Sequence, residues 1–368
     1  MKWRGCAGCW GRWELWGCRV EDCGLEYGEV GVKGLRCVWV HESLRAEALG
    51  RLRRESVVSG RVDHMLHYVS TRQAQLWMEV HRKHAPLFED AAFGRIFQDC
   101  ARELGGELVG RAVHVLGLGA GGGAKEAIVL GQLKAAGCEL RYTPVDASME
   151  LAIGSAEAAF AGEPGLVEPE RVQPVVADLR ALQAVVDALD AEEPGTVRVY
   201  TAFGLAPNFE PEEFFGLIRA VLRPGDVLLL SANLAPVACG EEGEPEAVRV
   251  ACERILPQYA NAETGEWLRQ VLVDWGCGEW AGPVEFGLGA VGGVPAVRAR
   301  CRWERGGELV VEGVPLRVDA GGVVELFFSL RYTPGLLAAV LGRHGMELGR
   351  GFIAPNGEEG VWRVRVAR

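Results

Sequence analysis

Val113-His114-Val115-Leu116-Gly117-Leu118-Gly119-Ala120-Gly121-Gly122-Gly123-Ala124-Lys125 is the stretch from which the architecture is read. Val113 to Leu116 is an apolar run of strand length. The run from Lys125 to Ala136 has the apolar spacing of a helix. Between them lie five glycines. Glycine has no Cβ, so a glycine bend between strand and helix lets backbone approach a ligand closely and presents N–H groups at a helix start. A lone Gly-x-Gly is weak evidence; a strand before it and a helix after it raise its value.

The same rhythm continues downstream. Strand-like runs recur at Leu140 to Val145, Val172 to Val176, Val197 to Thr201 and Val227 to Ser231. Helical patterns fill the intervals at Met149 to Ala161, Leu179 to Leu189 and Pro211 to Leu222. Nearly continuous apolar strands alternating with helices predict an α/β fold, with a parallel sheet covered on both faces. After about residue 238 the rhythm changes. Residues 244–275 read as helical. Val297 to Trp303, Leu309 to Val311 and Val323 to Ser329 read as antiparallel strands joined by glycine turns. A helix from Pro334 to Gly345 then leads to strands near Met346 to Ile353 and Gly360 to Val366, a hairpin expected to close one sheet edge.

Two acids follow the strands. Asp146 comes directly after the second, in Pro144-Val145-Asp146-Ala147-Ser148, where a carboxylate accepts from both ribose hydroxyls of a nucleoside. Asp178 follows the third, in Val176-Ala177-Asp178-Leu179, where it can accept from an adenine amine. Asp146, Ser148 and Asp178 also suit helix N-caps, and each alone is explained that way. Taken in order after the glycine bend, they favour S-adenosylmethionine (SAM) over NAD.

The chain has 368 residues, about half of them apolar, and a formal net charge of −11. That balance disfavours nucleic acid and anionic membrane as partners. There is no apolar run of about 18 residues to span a bilayer, and the start lacks a secretory signal. A cytoplasmic, monomeric protein is expected, with its cysteines reduced. Residues 1–40 hold five of the eleven tryptophans and five of the eleven cysteines without helical or strand period. They are expected to be disordered or an upstream mis-assigned start. The alternative is a small zinc site on Cys6, Cys9, Cys18 and Cys23, although the eight-residue gap between the pairs is short for a ribbon or finger. His64-x-x-His67 and His81-x-x-His84 have helical metal-ligand spacing. No third ligand completes either set in the sequence, so no metal is expected.

Several segments resemble, in order, the histidine-specific SAM-dependent methyltransferase family, whose best-known branch trimethylates the α-amino group of histidine in ergothioneine synthesis. They are Tyr68-Val69-Ser70-Thr71-Arg72, the Gly117–Lys125 bend, Tyr142 to Ser148, Phe203-Gly204-Leu205-Ala206-Pro207-Asn208-Phe209, Leu222 to Asp226, Tyr259-Ala260-Asn261-Ala262 and Ser329-Leu330-Arg331-Tyr332-Thr333-Pro334. The resemblance covers roughly residues 60–368, with gaps. It implies a Rossmann-like class I SAM-dependent methyltransferase core with an inserted α+β substrate lobe. The corresponding boundaries are 41–100 for an N-terminal helical segment of that lobe, 101–238 for the SAM-binding core, 239–332 for the insertion and 333–368 for the closing helix and edge strands.

The resemblance implies that Gly117, Gly119, Gly121, Lys125, Asp146, Asp178 and Leu179 hold the cofactor. Asn208 and Tyr259 would hold an amino-acid carboxylate, Tyr68 would close over the substrate, and Ser329 would meet its side chain. Where the family places a Glu against the imidazole, this chain has Phe327. A polar group left without its partner costs roughly 1–3 kcal/mol, which argues against histidine itself unless Glu325 compensates, and for an apolar or aromatic side chain. Phe203 and Pro207 also depart from the family's small polar loop. Without the resemblance, Asn208 is a turn residue before Pro211, Tyr259 a half-buried aromatic and Ser329 an ordinary strand residue.

Methyl transfer from a sulfonium needs in-line placement in a sheltered site and a neutral amine. Tyr68, or a water, is the candidate to accept the amine proton. The expected activity is N-methylation of an amino acid or related small amine. The competing readings are an NAD(P)-linked oxidoreductase using the same bend, and a SAM-binding protein that has lost catalysis.

Overall fold

The computed structural model describes residues 14–15, 18–19, 25–28, 35, 37–85, 90–160, 165–190, 196–238, 240 and 243–367. Cys6, Cys9 and Cys23, three of the four residues of the zinc alternative, lie outside them. The strands in chain order are Glu14–Leu15 (β1), Cys18–Arg19 (β2), Leu25–Gly28 (β3), Val38–His41 (β4), Ala112–Leu118 (β5), Glu139–Asp146 (β6), Val175–Val176 (β7), Val197–Ala202 (β8) and Val227–Asn233 (β9). Then come Glu285–Val291 (β10), Val294–Arg302 (β11), Gly307–Val311 (β12), Val314–Val318 (β13), Val323–Leu330 (β14), Met346–Ile353 (β15) and Glu359–Val366 (β16).

Nine strands form the main sheet in the order β15-β16-β9-β8-β5-β6-β7-β4-β3. Strands β5 to β9 are parallel, with β5 at the centre, β6 and β7 to one side and β8 and β9 to the other. The strand order reverses at β5/β8, the place where open α/β sheets bind ligands at their carboxyl ends. The glycine bend leaves β5 there. The chain thus has the Rossmann-like α/β fold expected of it. The β15–β16 hairpin closes the edge, antiparallel to β9.

Helices cover both faces. Ala91–Glu107, Ala124–Ala135 and Met149–Phe160 pack on one side around Phe97, Leu104, Leu130 and Tyr142. Leu182–Asp190, Pro211–Val221 and Pro334–Arg343 pack on the other around Phe214, Phe215, Ile218 and Leu337. The caps are local chemistry. Thr333 accepts from Leu336 N–H ahead of Pro334, and Ser70 and Gln73 form a reciprocal capping box that starts the Thr71–His84 helix.

The lobe is a three-stranded meander, β10-β11-β14, with the β12–β13 hairpin between its last two strands. It packs on helices Ala46–Ser59 and Ala262–Asp274 around Trp267, Leu268, Leu326 and Phe327. An isolated bridge between Arg61 and Glu325 ties the N-terminal segment to β14.

Several expectations are corrected. The boundary at residue 40 falls inside β4, which runs parallel to β7 and buries Val38. The boundary at residue 100 cuts the Ala91–Glu107 helix, whose apolar face (Phe93, Ile96, Phe97, Cys100) belongs to the core and not to the lobe. The third parallel strand is only two residues long, because Pro174 has no N–H for the ladder; its carbonyl accepts from Trp39 N–H at 3.0 Å. The helix expected from Leu179 opens as a 3-10 turn, Leu179–Ala181. Residues 244–275 are two helices, Pro245–Tyr259 and Ala262–Asp274, separated where Asn261 caps the second. Strands β10 and β13 were not expected. β10 reads Glu-Phe-Gly-Leu-Gly-Ala-Val, with two glycines of low strand propensity, and is held by its register against β11.

Candidate functional site

Gly119 and Gly121 both have φ of 57°, a left-handed conformation that favours glycine. A Cβ on Gly121 would lie 2.8 Å from the Trp77 ring, and one on Gly119 would lie 2.8 Å from Leu205. Trp77 from the Thr71–His84 helix and Leu205 from the loop after β8 therefore flank the bend. Its N–H groups stand free only in part. Gly119 N–H donates to Val145 carbonyl at 2.8 Å, Gly123 N–H to Ala120 carbonyl at 3.0 Å, and Gly121 N–H to the Asp146 carboxylate at 3.1 Å.

Asp146 ends β6 and is buried. It accepts also from Ser148 N–H at 2.9 Å. Burial pushes its carboxyl up to about 6, against the backbone donors of Ser148, Gly121 and Ala147, which favour the ionised form. The carboxylate thus faces the bend. Behind the bend, Glu126 is buried with Thr201 Oγ1 at 3.3 Å, and burial, against its own backbone N–H, holds its carboxyl up at about 7.

The other expected cofactor residues are placed differently. Asp178 stands at the same sheet edge, one strand over, but caps the Leu179–Ala181 turn through Arg180 N–H and pairs with the Arg180 guanidinium at 3.1 Å. An adenine amine would share a carboxylate already drawn by Arg180. Lys125 pairs with Glu359 of β16 at 2.8 Å and lies over the Phe97 ring, so its charge ties helix to edge strand. Leu179 is core. Gly117 lies against Tyr142, whose hydroxyl would be 2.9 Å from an added Cβ.

An aromatic cluster adjoins the bend. Tyr68 packs on Trp77 and Trp267, at ring-centroid distances of 6.0 and 5.6 Å, and Trp267 meets Phe327 at 5.7 Å. Burial, with the Asp146 carboxylate adding to it, pushes the Tyr68 phenol well up. Tyr68 therefore stays neutral, able to accept a hydrogen bond but not to act as a phenolate base. Tyr259 lies 6.5 Å from Phe327. Its hydroxyl is 2.9 Å from Ser329 Oγ and accepts from Arg331 Nη2 at 2.7 Å, while Asn233 Nδ2 donates to Ser329 Oγ at 3.1 Å. Asn208 donates to Gly204 carbonyl at 3.3 Å. Asn208 and Phe327 line one cavity of about 390 Å³.

Glu325 also lines that cavity, but Arg298 grips it through Nε and Nη2, so its charge is consumed inside the protein. Phe203 does not shape the substrate loop; it packs edge-on against Phe97 at 5.0 Å in the core. The histidines are dispersed. His64 rests on Phe209 at 3.9 Å, His67 Nε2 bonds Leu326 carbonyl at 2.6 Å, and His81 stacks on Trp77 at 4.8 Å. Among the described residues no three His, Cys, Asp or Glu side chains gather as a metal site, and no helix is long and apolar enough to cross a membrane.

Trp77, Leu205, Asn233 and Arg331 were missed as site residues. Trp77 sits one turn before His81 on a capped helix, and Asn233 ends a strand at the ligand edge, so both carried a positional signal. Leu205 carried none, because only the tertiary fold lays it on Gly119.

No family model and no curated protein matches the chain. Its fold resembles several solved structures. The CcbJ methyltransferase from Streptomyces caelestis is 16% identical, with 74% of this chain and 95% of that chain covered and a TM-score of 0.34. A SAM-dependent methyltransferase from Clostridium acetobutylicum ATCC 824 is 12% identical, covering 79% and 98% with a TM-score of 0.38. The Burkholderia thailandensis 1,6-didemethyltoxoflavin-N1-methyltransferase, with 1,6-didemethyltoxoflavin and S-adenosylhomocysteine bound, is 16% identical, covering 80% and 88% with a TM-score of 0.37. Likeness this slight carries no argument about what this chain does.

Proposed function

We propose that this chain is a SAM-dependent methyltransferase that N-methylates a small, amino-acid-like amine bearing an apolar or aromatic side chain. The observation that carries this reading is the convergence of the buried Asp146 carboxylate on a left-handed glycine bend at the switch point of a parallel sheet. SAM, when bound, supplies an electrophilic methyl group on a sulfonium. Gly119 and Gly121 would admit it to the backbone, and Asp146 would accept from its ribose hydroxyls. Asp178 would stand near its adenine.

The chain's own residues do the rest by placement. The packed rings of Trp77, Tyr68, Trp267 and Phe327 would shield one side of the bend from water, which strengthens polar contacts there. Tyr259 and Asn208 would hold the acceptor's carboxylate. Phe327, in place of an acid, would take an apolar group. Tyr68 as a neutral phenol would accept a hydrogen bond from the amine and orient its lone pair, the proton then leaving to water.

The test is a radiolabelled-methyl assay across amino acids and biogenic amines, with calorimetric titration of SAM and of NAD. Saturable SAM binding and label transfer to an amine support the proposal. Binding of NAD without SAM overturns it in favour of the oxidoreductase reading. SAM binding without any transfer removes the activity and leaves a binding protein.

A further inference from the structure

Two arginines with side chains largely withdrawn from water meet carboxylates: Arg298 meets Glu325, and Arg363 meets Glu103 and Glu107. Arg331 does not. It is 4% exposed, and no Asp or Glu among the described residues pairs with it. Its guanidinium donates to the Tyr259 hydroxyl at 2.7 Å and, at 3.4 Å, to the Leu234 carbonyl. Its Nε is buried without any partner. A buried cation with neutral acceptors and a spare donor is costly, and an anion arriving at it would offset that cost.

Arg331 lines a cavity of about 620 Å³ beside the Pro245–Tyr259 helix, separate in its lining from the one that holds Asn208 and Phe327. Val248, Cys252, Leu288, Ala296 and Leu336 give it apolar walls. The volume is within the range of small-molecule sites, and an apolar enclosure with one buried charged group is how such sites fix orientation. We infer that this cavity binds a small organic acid, its carboxylate on Arg331 and its apolar body against those walls. The fork of donors on a guanidinium matches a carboxylate better than any neutral oxygen.

Arg331 also touches Tyr259, so an acid drawing on its guanidinium would change the support of the Tyr259 hydroxyl. This coupling rests on the proposed role of Tyr259 in the acceptor site; the binding itself does not. The site therefore stands or falls without reference to methyl transfer.

The experiment is calorimetric titration and thermal shift of the full chain at pH 7.5 with isovalerate, hexanoate and benzoate, and with their three amides. At least one acid is expected to bind saturably and raise the melting temperature, with its amide at least tenfold weaker. Arg331→Met should weaken the acid at least tenfold. Val248→Trp, which fills the cavity and leaves Arg331 in place, should do the same, so a misfolded Arg331 variant cannot decide the matter alone. No binding by any of the three acids, equal binding by acid and amide, or undiminished binding in Val248→Trp overturns the inference.

Discussion

Asp146→Ala separates bracing of the bend from binding by it. In the folded protein the Asp146 carboxyl titrates at about 6 against an ordinary 3.8, because burial outweighs its three backbone donors. Keeping it ionised therefore costs about 3 kcal/mol at pH 8. The alanine removes that cost but strands the N–H groups of Gly121 and Ser148, at about 1–3 kcal/mol each. The two effects nearly cancel at pH 8. They do not cancel in acid. A group with a raised folded pKa contributes stability in full below its unfolded value and loses it as pH rises through the folded one. The wild type should thus lose about 2 kcal/mol between pH 4.5 and 8 that the variant does not lose. Urea denaturation followed by tryptophan fluorescence at both pH values measures the gap between the two proteins, which should narrow by that amount toward pH 8. At pH 8, where folding is nearly matched, SAM affinity should fall at least about tenfold for loss of a charge-assisted bond. A gap that does not change with pH refutes the account of burial, and an unchanged SAM affinity removes Asp146 from the site.

Glu126→Gln tests the second buried carboxyl. It is held at about 7 against 4.5, so wild-type stability should decline by about 2 to 3 kcal/mol between pH 5 and 8.5 while the amide variant lacks that decline; parallel urea midpoints for the two proteins would contradict this. Trp77→Ala uncovers Gly121 and removes a ring of the aromatic cluster. It should weaken SAM at least about tenfold by calorimetry, with about 2 kcal/mol lost in a urea melt for the apolar area exposed. Tyr259→Phe leaves Arg331 Nη2 and Ser329 Oγ each short of a partner. A loss of about 1–3 kcal/mol is expected, with acceptor KM raised at least about fivefold and kcat little changed, as for a group that binds substrate and transition state alike.

The sequence by itself determined the parallel sheet, its helices, the glycine bend and the acid that follows the second strand. These are local facts: an apolar run of strand length, a helical period, and a residue type at a strand end, each within a few positions of the next. Only the tertiary structure decided what faces what. Trp77 and Leu205 come to Gly121 and Gly119 across sequence distances that no periodicity spans. Asp178 has the right position but gives its charge to Arg180. Lys125 has the right motif but gives its charge to Glu359, and Glu325 lines the cavity with Phe327 but is taken by Arg298. A charged side chain goes to the counter-ion that folding brings within reach, and that partner is a property of packing, not of neighbours in the chain. The same reason hid Arg331: that its guanidinium pairs with no acid among the described residues is visible only in the folded chain.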